Sequence, residues 1–181
     1  MTRILPLACF AIVASAALPA SAMAQSAPFN CQNDPQRVQI GAQPMRAAIS
    51  DLSKQTRCPI SIDAQIGGIY GHAVKGTVTP LAAAVALVRG TGLEVMLIKQ
   101  GIGIGRYEQD AFDAKVDMLT SKVQDGVNSG RINSSRAASL RRQLTGVTTS
   151  IHQVAREQGF VSAAEKASYR RTIAVVTKAV S

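Results

Sequence analysis

Residues 38–56 read VQIGAQPMRAAISDLSKQT and decide the fold of the first half of the chain. The stretch from Arg37 to Ile40 alternates polar and apolar side chains, which predicts a short strand with one buried face. Pro44 stands where a helix can start, because its missing N–H costs nothing at the first helical position. An amphipathic helix is predicted to follow, since apolar residues recur at helical spacing at Met45, Ile49 and Leu52.

The same alternation of strand and helix patterns continues to residue 107. Residues 59–63 and 73–78 read as strands. Thr79 can cap a helix whose first residue is Pro80. Residues 93–107 then read as a hairpin that turns near its middle. The order β-α-β, β-α-β-β predicts an α+β fold in which the helices pack against small sheets.

The second half of the chain has helical periodicity from residue 113 onward and contains no proline. A weak internal repeat marks its helix boundaries, since the segment 130–133 recurs in altered form as 159–162. In each copy a glycine ends one helix, and an Asn or Ser three residues later caps the next. We therefore predict an all-α segment of three helices, over 113–128, 134–158 and 163–179.

The first 24 residues have the composition of a secretory signal peptide. Arg3 precedes an uncharged apolar stretch from Ile4 to Leu18, and small residues then predict cleavage between Ala24 and Gln25. The apolar stretch is shorter than the ~20 residues needed to span a bilayer. We expect a periplasmic protein without an integral membrane span after cleavage, and an association with the outer membrane is left open. The predicted organisation is a signal peptide (1–24), an α+β domain (25–109) and a helical domain (110–181).

The charge balance bears on the class of partner. Without Arg3 the chain keeps 19 basic and 11 acidic side chains, a net charge of +8. Such an excess can favour nucleic acid or anionic lipid. Stacking aromatic residues, which usually accompany nucleic-acid binding, are few, and the chain has no Trp. We expect no nucleic-acid partner, and we keep as an alternative function a structural envelope protein whose basic tail binds anionic lipid or glycan.

The cysteines and histidines set the expected chemistry. Cys31 and Cys58 form an even pair in an oxidising compartment, which predicts a disulfide, with two buried free thiols as the alternative. Two cysteines and a distant histidine do not make the ligand set of a metal site. Neither His72 nor His152 lies in a sequence constellation suited to nucleophilic catalysis. We therefore expect no enzyme activity, no metal and no cofactor.

Several short motifs of the segment 38–107 occur in a characteristic order and spacing. They are Val38 to Met45, Ala48, Leu52, Gln55-Thr56, the strand Ile60 to Asp63, Val74 to Gly76, Thr79 to Leu81, Ala84, Leu87 and Gly90 to Leu93. Together they resemble the secretin and TonB short N-terminal domain. Met45, Cys58 and the position of Thr79-Pro80 depart from that family's pattern.

The resemblance implies a non-catalytic docking domain. In the family this domain lies at the periplasmic end of outer-membrane secretins and of TonB-dependent receptors that signal to an anti-sigma regulator. Residues after 107 do not resemble the plug, barrel or ring sequences of those machines, so we expect a free-standing domain with a helical tail. The implied function is a docking or signalling accessory of such a transport or secretion system. The implied protein partner is a TonB-dependent receptor, an anti-sigma regulator or a secretin component.

The hairpin 93–107 is the predicted partner-binding element. Its glycines should leave the backbone little covered, so that an edge strand could pair with a strand of a partner. We expect the α+β domain to fold alone and the tail to be a spacer or an oligomerisation element. The residues of this predicted site are Leu93, Gly101, Gly103, Gly105 and Tyr107.

The disulfide can be tested directly on protein isolated from the periplasm. We expect Cys31 and Cys58 to be bonded to each other, which should stabilise the fold by ~3–4 kcal/mol through loop closure. Peptide mass spectrometry without reductant should find the cross-linked pair. Two alkylatable thiols would contradict the prediction.

Overall fold

The structure is a computed structural model that describes residues 31–62 and 66–181. The predicted signal peptide and its cleavage site at Ala24 and Gln25 lie outside the described residues. The chain has an α+β fold, as predicted. The strands are β1 (Gln36–Ile40), β2 (Gln43–Pro44), β3 (Ile60–Ile62), β4 (Tyr70–Gly71), β5 (Val74–Val78), β6 (Glu94–Ile98) and β7 (Gly101–Gly105). The helices are α1 (Met45–Thr56), α2 (Pro80–Val88), α3 (Tyr107–Asn128), α4 (Ser134–Gln158) and α5 (Ala163–Val180).

The strands form three small sheets. β1 pairs antiparallel with β5, and β2 pairs antiparallel with β4. The third sheet has the order β3-β7-β6, in which β3 runs parallel and β6 antiparallel to β7. The sequence did not predict β2 and β4, because two residues are too few to show a period of two.

The helices α1 and α2 pack against these sheets around one apolar core. Met45 and Leu52 of α1, Leu87 of α2 and Ile102 and Ile104 of β7 are completely buried. Thr79 caps α2 as predicted, since its side chain accepts a hydrogen bond from the Ala82 amide.

The predicted disulfide is present between Cys31 and Cys58, whose Cα atoms are 5.6 Å apart. Both cysteines are buried. The Cys31 carbonyl also accepts a hydrogen bond from the Leu81 amide at 3.0 Å. The disulfide therefore ties the segment before β1 to the turn after α1, beside the start of α2.

The helices α3, α4 and α5 form a bundle with a second core, in which Leu119, Leu140, Leu144, Ile151 and Val176 are almost completely buried. The predicted bounds of α4 hold, and α5 ends one residue later than predicted. α3 begins at Tyr107, six residues before the predicted start. The predicted domain boundary after residue 109 therefore falls within the first turn of a helix.

The caps of the bundle follow the internal repeat. The Asn133 side chain accepts from the Arg136 amide, and Ser162 and Glu165 form a reciprocal capping box. Partial burial acts to raise the pKa of Glu165, but hydrogen bonds from Ser162 and Gln158 outweigh it and hold the pKa below its ordinary value. This carboxylate therefore contributes stability that is present at neutral pH and is lost as the pH falls through its lowered pKa.

A substitution at Gly159 should destabilise the chain. Gly159 has φ of 79°, and a Cβ there would lie 2.8 Å from Val88 Cγ2. We expect Gly159→Ala to cost about 1–3 kcal/mol of unfolding free energy, measured by chemical denaturation. Gly146→Ala is the matched control, because Gly146 lies within α4 in open space, and it should stabilise by about 0.5–1 kcal/mol. Equal effects of the two substitutions would contradict this account of the α4–α5 corner.

Candidate docking site

The glycine-rich strand β7 is the central strand of its sheet. Ile102 donates a backbone hydrogen bond to Pro59 beside β3, and the other side of β7 pairs with β6 along its whole length. The prediction that this strand is an exposed edge is therefore wrong. The parallel strand β3 comes from a distant part of the sequence, so local patterns around residues 101–105 could not show it.

The glycines of β7 serve close packing. A Cβ on Gly101, whose φ is 139°, would overlap the carbonyl oxygen of Pro59. A Cβ on Gly103 would lie 3.2 Å from both Tyr107 Oη and Ile98 Cγ2, so the Tyr107 ring covers this position. Gly103 and Gly105 are buried. The backbone of β7, which was expected to be exposed, pairs with β3 and β6 on its two sides and is covered by the Tyr107 ring on one face.

The other two predicted partner-binding residues also lie apart from any open edge. Leu93 is only 4% exposed and precedes β6 in the apolar core. Tyr107 is the first residue of α3 and is 38% exposed. Neither residue lies on an open strand edge of the kind that the sequence had suggested. A role for them in partner binding stays a prediction.

The outer edge of β6 is occupied by the corner between α4 and α5. The Val95 amide donates to the Gly159 carbonyl at 2.7 Å, and the Gly90 amide donates to the Arg156 carbonyl at 2.7 Å. The bundle therefore contacts the first part of this edge, at Val95.

A buried carboxylate joins the same strand to α3. Glu94 is 2% exposed, and its two oxygens accept hydrogen bonds from the Glu108 and Gln109 amides at 2.9 Å each. These amides belong to the first turn of α3, which has no side-chain cap of its own. The Gln109 side chain donates to the Gly92 carbonyl, and Lys166 of α5 forms an ion pair with Glu108 at 2.8 Å. A single acidic residue within the apolar strand LEVMLI was the sequence signal for this contact.

The outer edge of β1 is closed by a side chain. Gln55 accepts a hydrogen bond from the Gln39 amide at 2.8 Å and donates one to the Gln39 carbonyl at 3.0 Å. This amide side chain thus satisfies the outward backbone groups of Gln39, with which a neighbouring strand would pair. The sequence motif included Gln55 but did not reveal this role, because the contact spans sixteen residues.

The outer edge of β5 is open. The backbone N–H and C=O of Gln39 point away from β5. Lys75 is opposite Gln39 in the antiparallel pair, so the backbone N–H and C=O of Lys75 point away from β1. By the alternation of the ladder, Thr77 does the same two residues later. Within residues 31–62 and 66–181 no group hydrogen-bonds this edge, and both side chains are exposed. β5 is thus a five-residue edge whose outward backbone groups have no partner among the described residues, whereas the outer edge of β3 has only three residues.

One histidine of the bundle pairs with a carboxylate. His152 of α4 pairs with Asp113 of α3 at 2.7 Å, and both side chains are about 30% exposed. This contact joins two helices of the bundle. The described residues contain no group of three or more His, Cys, Asp or Glu side chains placed to hold a metal ion. In the same part of the structure no helix has the length and apolar character needed to cross a membrane.

Comparisons with known proteins add one partial likeness. No family model matches the chain, and no curated protein matches it. Among solved structures the chain is similar to the ferripyoverdine receptor of the outer membrane of Pseudomonas aeruginosa, with 23% identity and a TM-score of 0.38. The match covers 40% of this chain and 10% of the receptor. A likeness of this extent carries no inference about what the chain binds.

Replacing Glu94 should weaken the junction between the sheet and the bundle. We expect Glu94→Ala to lower the unfolding free energy by about 2 kcal/mol, because two amides of a helix N-terminus lose a charged acceptor. Glu94→Gln keeps one acceptor and should fall between this variant and the wild type. Chemical denaturation measures both variants. The control is Glu157→Ala at an exposed position of α4, and its unfolding free energy should lie within about 0.5 kcal/mol of the wild type. A wild-type value for Glu94→Ala would show that the cap contributes nothing.

Proposed function

We propose that the chain is a non-catalytic docking module of the bacterial cell envelope that binds an extended segment of another protein by adding a strand to β5. The observation that carries this proposal is the outer edge of β5, on which no described residue forms a hydrogen bond, whereas the outer edges of β1 and β6 are hydrogen-bonded within the chain at Gln39 and Val95. Strand addition uses backbone groups for affinity and side-chain contacts for specificity.

The charges beside this edge favour an acidic partner segment. Arg37 and Lys75 are exposed on the outer face of the β1–β5 sheet, and neither strand contains an acidic residue. A lysine on an open edge also discourages pairing between identical copies, because the like charges would face each other. A segment with Asp or Glu opposite Lys75 would be attracted instead.

The proposed location is the periplasm. The signal-peptide composition of residues 1–24 supports export, and a buried disulfide suits an oxidising compartment. The sequence resemblance to the secretin and TonB short N-terminal domain supports the class of partner. We propose a TonB-dependent receptor, an anti-sigma regulator or a secretin component in that role.

A second candidate is favoured by the charge of the bundle. α4 and α5 together carry eight basic and two acidic residues. A structural envelope protein could use this surface to bind anionic lipid or glycan, and such binding should weaken steeply as the salt concentration rises.

The strand-addition proposal can be tested with the full mature chain as bait in an envelope extract. Lys75→Glu reverses the charge on the β5 edge, and Thr77→Pro removes an outward N–H that the sheet itself does not use. We expect each to reduce capture of the specific partner about tenfold, the effect of losing one good polar contact. Lys99→Glu in the exposed turn between β6 and β7 is the charge-matched control and should retain capture.

Two outcomes would count against the proposal. Undiminished capture by both Lys75→Glu and Thr77→Pro would mean that β5 does not receive the partner. If the same protein also sediments with phosphatidylglycerol vesicles and is released by salt, the anionic-surface function is favoured. Circular dichroism of each variant checks that the fold is intact.

A further inference from the structure

The middle residue of strand β5 is a glycine. Gly76 has φ of 146°, a value that L side chains rarely adopt, and it lies opposite Val38 of β1. β5 pairs with β1 residue for residue from Val74 to Val78, so Gly76 does not mark a bulge. A glycine inside a strand that has no bulge often marks a place where another backbone or a ligand approaches closely.

The packing of the described residues does not account for this glycine. A Cβ added at Gly101 would collide with Pro59, and one added at Gly159 would collide with Val88. At Gly76, by contrast, an added Cβ would meet no described atom within 4 Å, and the residue is partly exposed. The space beside Gly76 is therefore not filled by any of residues 31–62 and 66–181.

The two faces of β5 differ in chemistry. Side chains alternate along a strand, so Val74 and Val78 lie on the same face as Gly76. Val38, opposite Gly76, is 1% exposed in the apolar core, and Val78 packs against the same core while staying partly exposed. A strand added to β5 would meet these apolar side chains on one face and the exposed Lys75 on the other.

The hydrogen-bonding pattern decides which partner residue faces Gly76. The backbone groups of Lys75 and Thr77 point outward, so the residues of an antiparallel partner opposite them would exchange hydrogen bonds with β5. The residue opposite Gly76 then belongs to a non-hydrogen-bonded pair, in which the Cα atoms are only ~4.5 Å apart and side chains are closest. Glycine leaves room there for a large side chain, and aromatic residues stabilise edge strands by covering a glycine in this way.

We infer that the segment bound by β5 carries an aromatic residue opposite Gly76 and an acidic residue opposite Lys75. The inference rests on the strand-addition function proposed above and specifies the sequence that this site selects. In an antiparallel partner, the residue opposite Lys75 directly follows the residue opposite Gly76. The recognised segment is therefore extended, and in it an aromatic residue immediately precedes Asp or Glu.

Each of the two partner residues has its own contact on β5. Diagonal neighbours across two strands lie ~7–8 Å apart, which is within reach of an aromatic ring, so the ring can cover the exposed part of Val78. The acidic residue lies on the other face beside Lys75, which has no ion-pair partner among the described residues. Selectivity thus comes from an apolar contact and a charge contact on adjacent residues.

Peptide binding to the full mature chain tests the inference, with labelled Thr-Val-Thr-Phe-Glu-Val-Thr as the probe and fluorescence anisotropy as the measurement. Replacing the peptide Phe by Ala should weaken binding about tenfold, because the ring no longer covers apolar surface beside Gly76. A peptide of the same composition in which Glu precedes Phe should also bind about tenfold more weakly. Its Phe and Glu cannot face Gly76 and Lys75 together in an antiparallel register.

A double-mutant cycle locates the peptide Phe on the protein. Val78→Ala should weaken binding of the Phe peptide about threefold and leave binding of the Ala peptide unchanged, because only the ring reaches residue 78. Val175→Ala is the matched control, since the same substitution is made at a 55% exposed position of α5. This control should change the binding of neither peptide.

Hydrogen exchange distinguishes a failure of this inference from a failure of strand addition. A strand added to β5 should protect the outward amides of Lys75 and Thr77, whichever residue faces Gly76. Protection by the Phe and Ala peptides with equal dissociation constants would overturn the inference and leave the proposed function standing. No protection by any of the peptides at ~1 mM would overturn both.

Discussion

The buried carboxylate of Glu94 is the contact on which the arrangement of the two halves depends. It lies on the edge strand of the three-stranded sheet and supplies the acceptors that the first turn of α3 lacks. Buried amides at a helix end are costly when unpaired, so the position of α3 relative to the sheet is closely constrained. Once α3 is placed, the α4–α5 corner can reach Val95 and Gly90, and the bundle covers the edge of β6.

The same rule, that backbone hydrogen-bonding groups must be satisfied, organises the remaining edges. Two sheet edges are hydrogen-bonded by different means: the α4–α5 corner bonds Val95 of β6, and a glutamine side chain bonds Gln39 of β1. The outward backbone groups of β5 have no hydrogen-bond partner in the part of the chain that the structure describes, and two basic side chains lie beside them. The two halves have separate apolar cores, yet they share these polar contacts. A cut after residue 109 would leave Glu94 and the start of α3 on one fragment and the rest of the bundle on the other.

Much of the local structure could be predicted because its causes are local. The capping residues Thr79, Asn133 and Ser162 each accept a hydrogen bond from the amide three residues later, and each was recognised from its neighbours. The disulfide could be predicted from the even number of cysteines and the oxidising compartment alone. The start of α3 was missed because its cap comes from Glu94, fourteen residues earlier in the chain and on another element.

The sequence by itself determined the α+β class, the main strands and helices, the disulfide and the charge balance, since all of these follow from composition and short-range periodicity. Only the tertiary structure decided which strand edge is open. The glycines of β7 suggested a bare edge, but β3, whose Ile60 pairs with Ile102 of β7, comes from a distant part of the sequence, and Tyr107 folds over β7. Strand order in a sheet depends on contacts between distant segments, and a period of two along one strand carries no information about its neighbours.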